Sequence, residues 1–313
     1  MDIINLIVSQ VKFIYYTLNL WYKGIMAYGK TVTIYFDNGT PDGIITASLS
    51  NWNGVCIKAP RSEILRKDYE ELDAPGVYFL VCTDTDDGQD AVYIGEAENV
   101  RSRLNIHIQD YSSGRETYYW QNAVVFTGSE LNKTLIRYLE HNLTKKAQAA
   151  KRYTVLTKNT YSNTVMKRNE KAAMDEFIDY IQILLSALNF RILDPITPSQ
   201  QNIIDVAEYE ETLYLSVGNY HGEGYFTTDD KFILKAGANI NHSETKSCPA
   251  TISKRRKNAV ESALLKDWIT TEDILFSSSS AAAAFIMGYA INGLRNWKNS
   301  EGISVGELRK NSL

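Results

Sequence analysis

The sequence predicts an α+β chain in three parts: a small mixed β-sheet flanked by helices, a β-rich segment ahead of it, and a second α+β module behind it. Three observations lead there. Short runs of alternating or β-rich character fill the first hundred residues, as at Thr31–Phe36 and Gly76–Cys82. Longer stretches with helical apolar spacing follow, from about Ser129 to Lys151 and from about Lys171 to Asn189. A proline-marked stretch at Asp194–Ser199 then precedes new strand-like runs at Thr212–Val217 and Phe232–Ala236. The 313 residues, 44% hydrophobic and 22% charged, suffice for two or three compact domains.

The elements follow in order. Residues 1–25 are apolar, but Asn5, Gln10, Lys12 and Asn19 interrupt every stretch that would span a bilayer, and no signal-peptide cleavage site follows. They read as an extension ahead of a fresh start at Met26, or as a docking helix. Residues 26–73 open with a hairpin, Thr31–Phe36 and Ile44–Leu49, around the turn-forming DNGTPDG run. Trp52–Ile57 adds a third strand, and Ser62–Leu72 is expected to be a short helix. Residues 74–190 begin with a second hairpin, Gly76–Cys82 and Ala91–Gly95, around an acidic turn. Asn99 is placed to cap a helix carrying Val100, Leu104 and Ile108. A strand at Ala123–Thr127 leads into the long helix, whose expected buried stripe is Leu131, Leu135, Tyr138 or Leu139, and Leu143. Residues 200–313 form the last module.

Charge and cysteine usage narrow the function classes. The net charge is −4, yet 99–171 holds thirteen Lys or Arg against five Asp or Glu, while acids dominate 63–98. The basic stretch suits phosphate better than the whole-chain value suggests. Cys56, Cys82 and Cys248 are widely spaced and form no CxxC pair. Neither a zinc cage nor a disulfide framework is predicted, and the chain reads as cytoplasmic with inert thiols.

Gly76-Val77-Tyr78, Tyr93-Ile94-Gly95, Arg103 with His107 one turn on, and Glu140 in a later helix occur in that order. Singly, each has a plain reading: tyrosines pack strands, and Glu140 pairs with Arg137 or Thr144. Together they resemble the GIY-YIG endonuclease family over about ninety residues. The resemblance implies a divalent-metal-dependent endonuclease acting on DNA in bacterial defence or repair, with the noncatalytic alternative of a DNA-binding or modified-DNA-sensing protein on a nuclease fold. It assigns Glu140 to one Mg²⁺ or Mn²⁺ ion, Tyr78 or Tyr93 to the general base, and Arg103 to the phosphate. His107 shares or relays the proton, and Asn159 or Asn163, with Asn159 preferred, supplies the late asparagine. A free phenol of pKa ~10 is ionised to only about one part in a thousand at neutral pH, so nearby positive charge is expected to lower it. Gly76 and Gly95 read as backbone requirements, the latter for a turn from strand towards helix. Val77 keeps a β-branched residue where the family has isoleucine.

Phe276–Lys298 resembles the SPSAAA…NGW pattern of DUF4357 modules, which are similar to a module associated with restriction and modification systems. Ser278 or Ser279 stands where that pattern often has proline. Ala281–Ala284 is expected to let a helix pack closely, with Asn292-Gly293 capping its end before Trp297. Lys254–Lys257 reads as a cationic edge. The nucleic-acid contacts expected are Arg101, Arg115, Lys145, Lys254, Arg255 and Arg256, with DNA as the partner, no membrane association, and oligomeric state open.

Overall fold

The computed structural model describes residues 29–66, 68–83, 88–158, 160, 165–196 and 211–311. The architecture is α+β, and its main sheet is larger than the sequence suggests. β1 (Val32–Phe36), β2 (Ile45–Leu49) and β3 (Gly54–Pro60) share one seven-stranded sheet with β4 (Gly76–Cys82), β5 (Ala91–Ala97), β6 (Asn122–Gly128) and β7 (Thr154–Val155). Its order is β1-β2-β3-β6-β4-β5-β7. The join is the antiparallel β3–β6 pairing, from Gly54 opposite Gly128 to Pro60 opposite Asn122. The segment before residue 74 therefore belongs to the same sheet as the strands after it. Among the described residues, only β5 and β7 of this sheet pair in parallel.

Every residue of β4 is buried, so its two faces differ by what packs on them. Val77, Phe79 and Val81 join one core with α2 (Lys133–Ala150) and α3 (Arg168–Ala187). Tyr78, Leu80 and Cys82 join another with α1 (Val100–Ser112). Period-two geometry produces this division, because alternate side chains leave a strand on opposite faces.

Helix α1 starts where Asn99 Oδ1 accepts from the Ser102 amide at 2.8 Å, as the sequence predicts. Helix α2 is capped by Asn132, and its buried stripe runs Ile136, Leu139, Leu143, Ala147. Leu131, just ahead of the helix, Leu139 and Leu143 are buried as expected, while Leu135 is half-buried and Ile136 takes its place in the core. The buried face also takes in Glu140 and Thr144, each next to a residue of the stripe.

The helix expected over Ser62–Leu72 is replaced by turns and a short 3-10 helix, Glu70–Asp73. The carbonyls of Leu65, Arg66 and Tyr69 accept from Arg101, a use that competes with helical pairing. Arg101 Nε also grips both Asp73 carboxylate oxygens at 3.0 and 3.1 Å.

The C-terminal module holds β8 (Leu213–Val217), β9 (Tyr220–Phe226), β10 (Phe232–Leu234), β13 (Ile274–Phe276) and β14 (Trp297–Lys298) in the order β13-β10-β9-β8-β14, beside the small hairpin β11 (Leu265–Lys266) and β12 (Ile269–Thr270). Around them lie α4 (Ala250–Glu261), α5 (Ser279–Met287), α6 (Gly293–Asn296) and α7 (Val305–Asn311). It docks on the main sheet through ion pairs. Lys231 reaches Asp90 at 3.2 Å, Arg152 reaches Asp229 at 3.4 Å, and Lys151 pairs with Glu272. Arg152 is buried and also donates to the Asp194 carbonyl at 3.0 Å, which ties the connecting stretch to both modules. Among the described residues, no helix is long and apolar enough to cross a membrane.

Candidate functional site

Strands β4 and β5 place Tyr78 directly opposite Gly95. A side chain at Gly95 would collide with Tyr78, since an added Cβ would lie 2.4 Å from the phenol oxygen and 2.5 Å from Cζ. Gly95 therefore clears space for a ring. It stands inside the strand, which corrects its expected role as a turn residue. Gly76 is similarly constrained, by the Phe126 carbonyl across the β4–β6 pairing.

Over that cleared strand, three tyrosines stack in a row. Tyr78 lies 6.3 Å from Tyr93 with rings 28° apart, and Tyr93 lies 5.9 Å from Tyr118 with rings 15° apart. His107, from α1, meets Tyr78 and Tyr93 edge-on at 5.6 and 5.1 Å. Arg103, one turn earlier, places its guanidinium against the hydroxyls of both Tyr78 and Tyr93. The helical spacing in the sequence thus brings together four of the six predicted catalytic residues.

A polar chain runs through this cluster. His107 Nε2 lies 2.9 Å from the Tyr78 hydroxyl, and His107 Nδ1 lies 2.5 Å from Glu116 Oε1. Burial pushes the His107 pKa down to about 3, and the charges of Arg103 and Arg61 add to the effect. The neutral ring that results places its proton on Nδ1, donating to the Glu116 carboxylate, and leaves Nε2 to accept from Tyr78. Glu116 is raised from the ordinary carboxylate range, first by its own burial. Sequence reasoning missed Glu116 and Tyr118, which lie in the loop after α1, where no periodicity marks them.

Tyr78 is 1% exposed, and burial drives its phenol well above the ordinary range. Tyr93 adds to the rise, while Arg103 pulls against it. The expected lowering by positive charge is thus present at Tyr78 but outweighed by desolvation. Tyr93 is only half-buried.

Glu140 sits on α2, against the opposite face of the sheet. Its neighbour Glu96 continues the face of Val92 and Ile94, and an ion pair with Lys133 at 2.9 Å holds Glu96 there. Glu140 Oε2 is buried with no hydrogen-bond partner among the described residues, and so is Thr144 Oγ1 one turn later. Burial, then Glu96, pushes the Glu140 pKa up to about 7, with Lys133 pulling it down. Glu96 also raises Tyr78. It is therefore the electrostatic neighbour shared by the tyrosine cluster and the lone carboxylate. Among the described residues, no group of three or more His, Cys, Asp or Glu is arranged as a metal cage. Asn159 and Asn163 lie outside the described residues.

Three of the expected nucleic-acid contacts are internal ties. Arg101 is pinned to Asp73 and three carbonyls, as above. Arg255 and Arg256 are buried, with guanidiniums on the carbonyls of Leu275, Phe285 and Asn241 and on the Glu244 carboxylate. The inward face of α4 takes them, and only Lys254 and Lys257 of that run are exposed. Arg115 is 70% exposed and paired with Asp110 at 2.7 Å, and Lys145 is exposed. Cys56 and Cys82 are buried, Cys248 partly so, and burial raises all three thiols.

In the C-terminal module, Ser278 caps α5 by accepting from the Ala281 amide at 3.2 Å. The helix ends at Gly288, whose φ is 71°. Asn292 instead caps α6, accepting from the Arg295 amide, which corrects its expected place at the end of the alanine-rich helix. At Gly293 an added Cβ would fall 2.4 Å from the Ser280 amide nitrogen. The buried Trp297 indole donates to the Ser279 carbonyl at 2.9 Å. Asn292, Gly293 and Trp297 thus lock one junction against the start of α5.

Residues 213–309 match the family model of the DUF4357 domain, a domain of unknown function. The match spans β8 to α7. No curated protein and no solved structure matches the chain.

Proposed function

We propose that the chain is a divalent-metal-dependent endonuclease that hydrolyses DNA phosphodiester bonds. The observation that carries this reading is the convergence of Tyr78, Tyr93, Arg103 and His107 on one face, with their order in the sequence resembling the GIY-YIG family. Tyr93 is the phenol best placed to take a proton from attacking water, because it is half-exposed and has Arg103 beside its hydroxyl. Arg103 offers a planar fork of donors for a nonbridging phosphate oxygen. The Tyr78–His107–Glu116 chain fixes the histidine tautomer, and the hydroxyls of Tyr78 and Tyr93 hold Arg103.

Glu140 fits a single hard cation. Its buried oxygen, unpartnered among the described residues, and its raised pKa are the signs of a carboxylate that a cation would stabilise. A Mg²⁺ or Mn²⁺ ion held by Glu140 would supply Lewis-acid polarisation and charge relief, and Glu96, which acts on both Glu140 and Tyr78, marks the end of β5 as the place where that ion would meet a phosphate on Arg103.

The near-complete burial of Tyr78 favours a second reading, a noncatalytic DNA-binding or modified-DNA-sensing protein. Conversion of supercoiled plasmid to open circle with Mg²⁺ or Mn²⁺ decides between them. The endonuclease reading requires nicking that is lost in Tyr93→Phe and Glu140→Ala, and equal nicking by all three proteins sinks it.

A further inference from the structure

The tyrosine stack does not end at the candidate site. Tyr118 also lines a cleft of about 490 Å³, in the size range of small-ligand sites. Tyr111 and Tyr119 line the same cleft, and Lys254 and Asn258 of α4 contribute to it from the DUF4357 domain. The cleft therefore lies between the two modules, with one aromatic ring held in common with the candidate site.

Its aromatic wall has a rigid base. Tyr111 and Tyr119 meet edge-on at 5.2 Å, and the Arg61 guanidinium lies over Tyr111, Tyr119 and Trp120 at 5.1, 4.8 and 4.5 Å. Yet Tyr111 and Tyr119 are 36% and 48% exposed. Rings held by a guanidinium and still exposed beside the cleft offer faces for stacking. Lys254 brings positive charge to the same cleft, where a backbone phosphate would benefit from it.

We propose that this cleft receives one unstacked nucleobase of a DNA strand whose backbone lies across the tyrosine–arginine cluster. This deepens the endonuclease reading and rests on it for the choice of DNA. A π-face is common to every base, so rings of this kind hold an extruded base without fixing its identity. The DUF4357 domain contributes a wall of the cleft, so the substrate preference is toward DNA with an extrahelical or single-stranded position.

The test uses the full chain carrying Glu140→Gln, so that DNA is not consumed, and fluorescence anisotropy with labelled oligonucleotides. Three probes suffice: a duplex with a one-base bulge, the same duplex with an abasic bulge, and the fully paired duplex. The base-containing bulge is expected to bind roughly 5- to 100-fold more tightly than the abasic bulge, the range for stacking one base on aromatic rings. Adding Tyr119→Ala or Tyr111→Ala should remove that preference. Both residues are surface-exposed, and circular dichroism verifies that the variants fold. Equal binding of base and abasic bulges, or a preference that survives both tyrosine substitutions, overturns the cleft. Plasmid nicking by the unsubstituted chain separates the two ideas. A chain that nicks without distinguishing the bulges retains the nuclease reading alone, and one that distinguishes them without nicking retains the cleft alone.

Discussion

The ring of Tyr78 lies against the backbone of Gly95, so closely that a methyl group at Gly95 would sit 2.4 Å from the phenol oxygen. The glycine of the second tripeptide thus makes room for the tyrosine of the first. Gly95→Ala must displace Tyr78 from His107, and overpacking of this kind costs about 1–3 kcal/mol. Urea denaturation should show that loss together with reduced nicking, whereas unchanged stability and activity would show that the ring has room to move.

Removing the lone carboxylate separates metal from grip. Glu140→Ala is expected to lower nicking by roughly a hundredfold or more, the scale for losing one electrostatic stabiliser, while DNA affinity stays within a few-fold. The buried Oε2 has no hydrogen-bond partner among the described residues, so Glu140→Gln should not lower the melting temperature. Mg²⁺ should raise the melting temperature of the unsubstituted chain more than that of Glu140→Gln. The same rise in both proteins would place the cation elsewhere.

Arg103 serves two phenols and, in the proposed reaction, a phosphate through one planar group. Arg103→Lys keeps the charge but loses the fork, and turnover should fall on the order of ten- to hundredfold. Wild-type kinetics in this variant would reduce Arg103 to a solvated charge.

Acid should loosen the cluster through His107. Its folded pKa of about 3 lies below the unfolded 6.5, so the unfolded chain binds the extra proton between those values. The stability involved is complete above pH 6.5 and is lost as the pH falls towards 3. Glu116, raised in the folded chain, acts in the opposite sense just above its ordinary 4.5. Denaturation midpoints measured from pH 7 to pH 4 should therefore fall less steeply in His107→Gln than in the unsubstituted chain, and parallel profiles would refute this.

The docking of the DUF4357 domain depends on Arg152, which is 7% exposed and bonds the Asp194 carbonyl and Asp229. Arg152→Ala leaves those acceptors without their cation and should cost about 3 kcal/mol. Thermal unfolding should then resolve into two transitions as the modules uncouple. A single unshifted transition would show that the apolar contacts alone hold them.

By itself, the sequence determined the α+β class, the β4–β5 hairpin, the Asn99 cap, the pairing of Arg103 with His107 on one helical face, and the DUF4357 pattern at the chain's end. Each is a local matter, fixed by spacing within a strand or a few helical turns. Tertiary structure decided the rest. It merged β3 with β6, took Glu140 into the buried face of α2, withdrew Arg101, Arg255 and Arg256 from the surface, and delivered Glu116 and Tyr118 to the site. These outcomes depend on which carbonyls and ring faces meet across tens or hundreds of residues. A buried guanidinium and an exposed one look alike in sequence, because desolvation is a property of the surrounding packing and not of the residue.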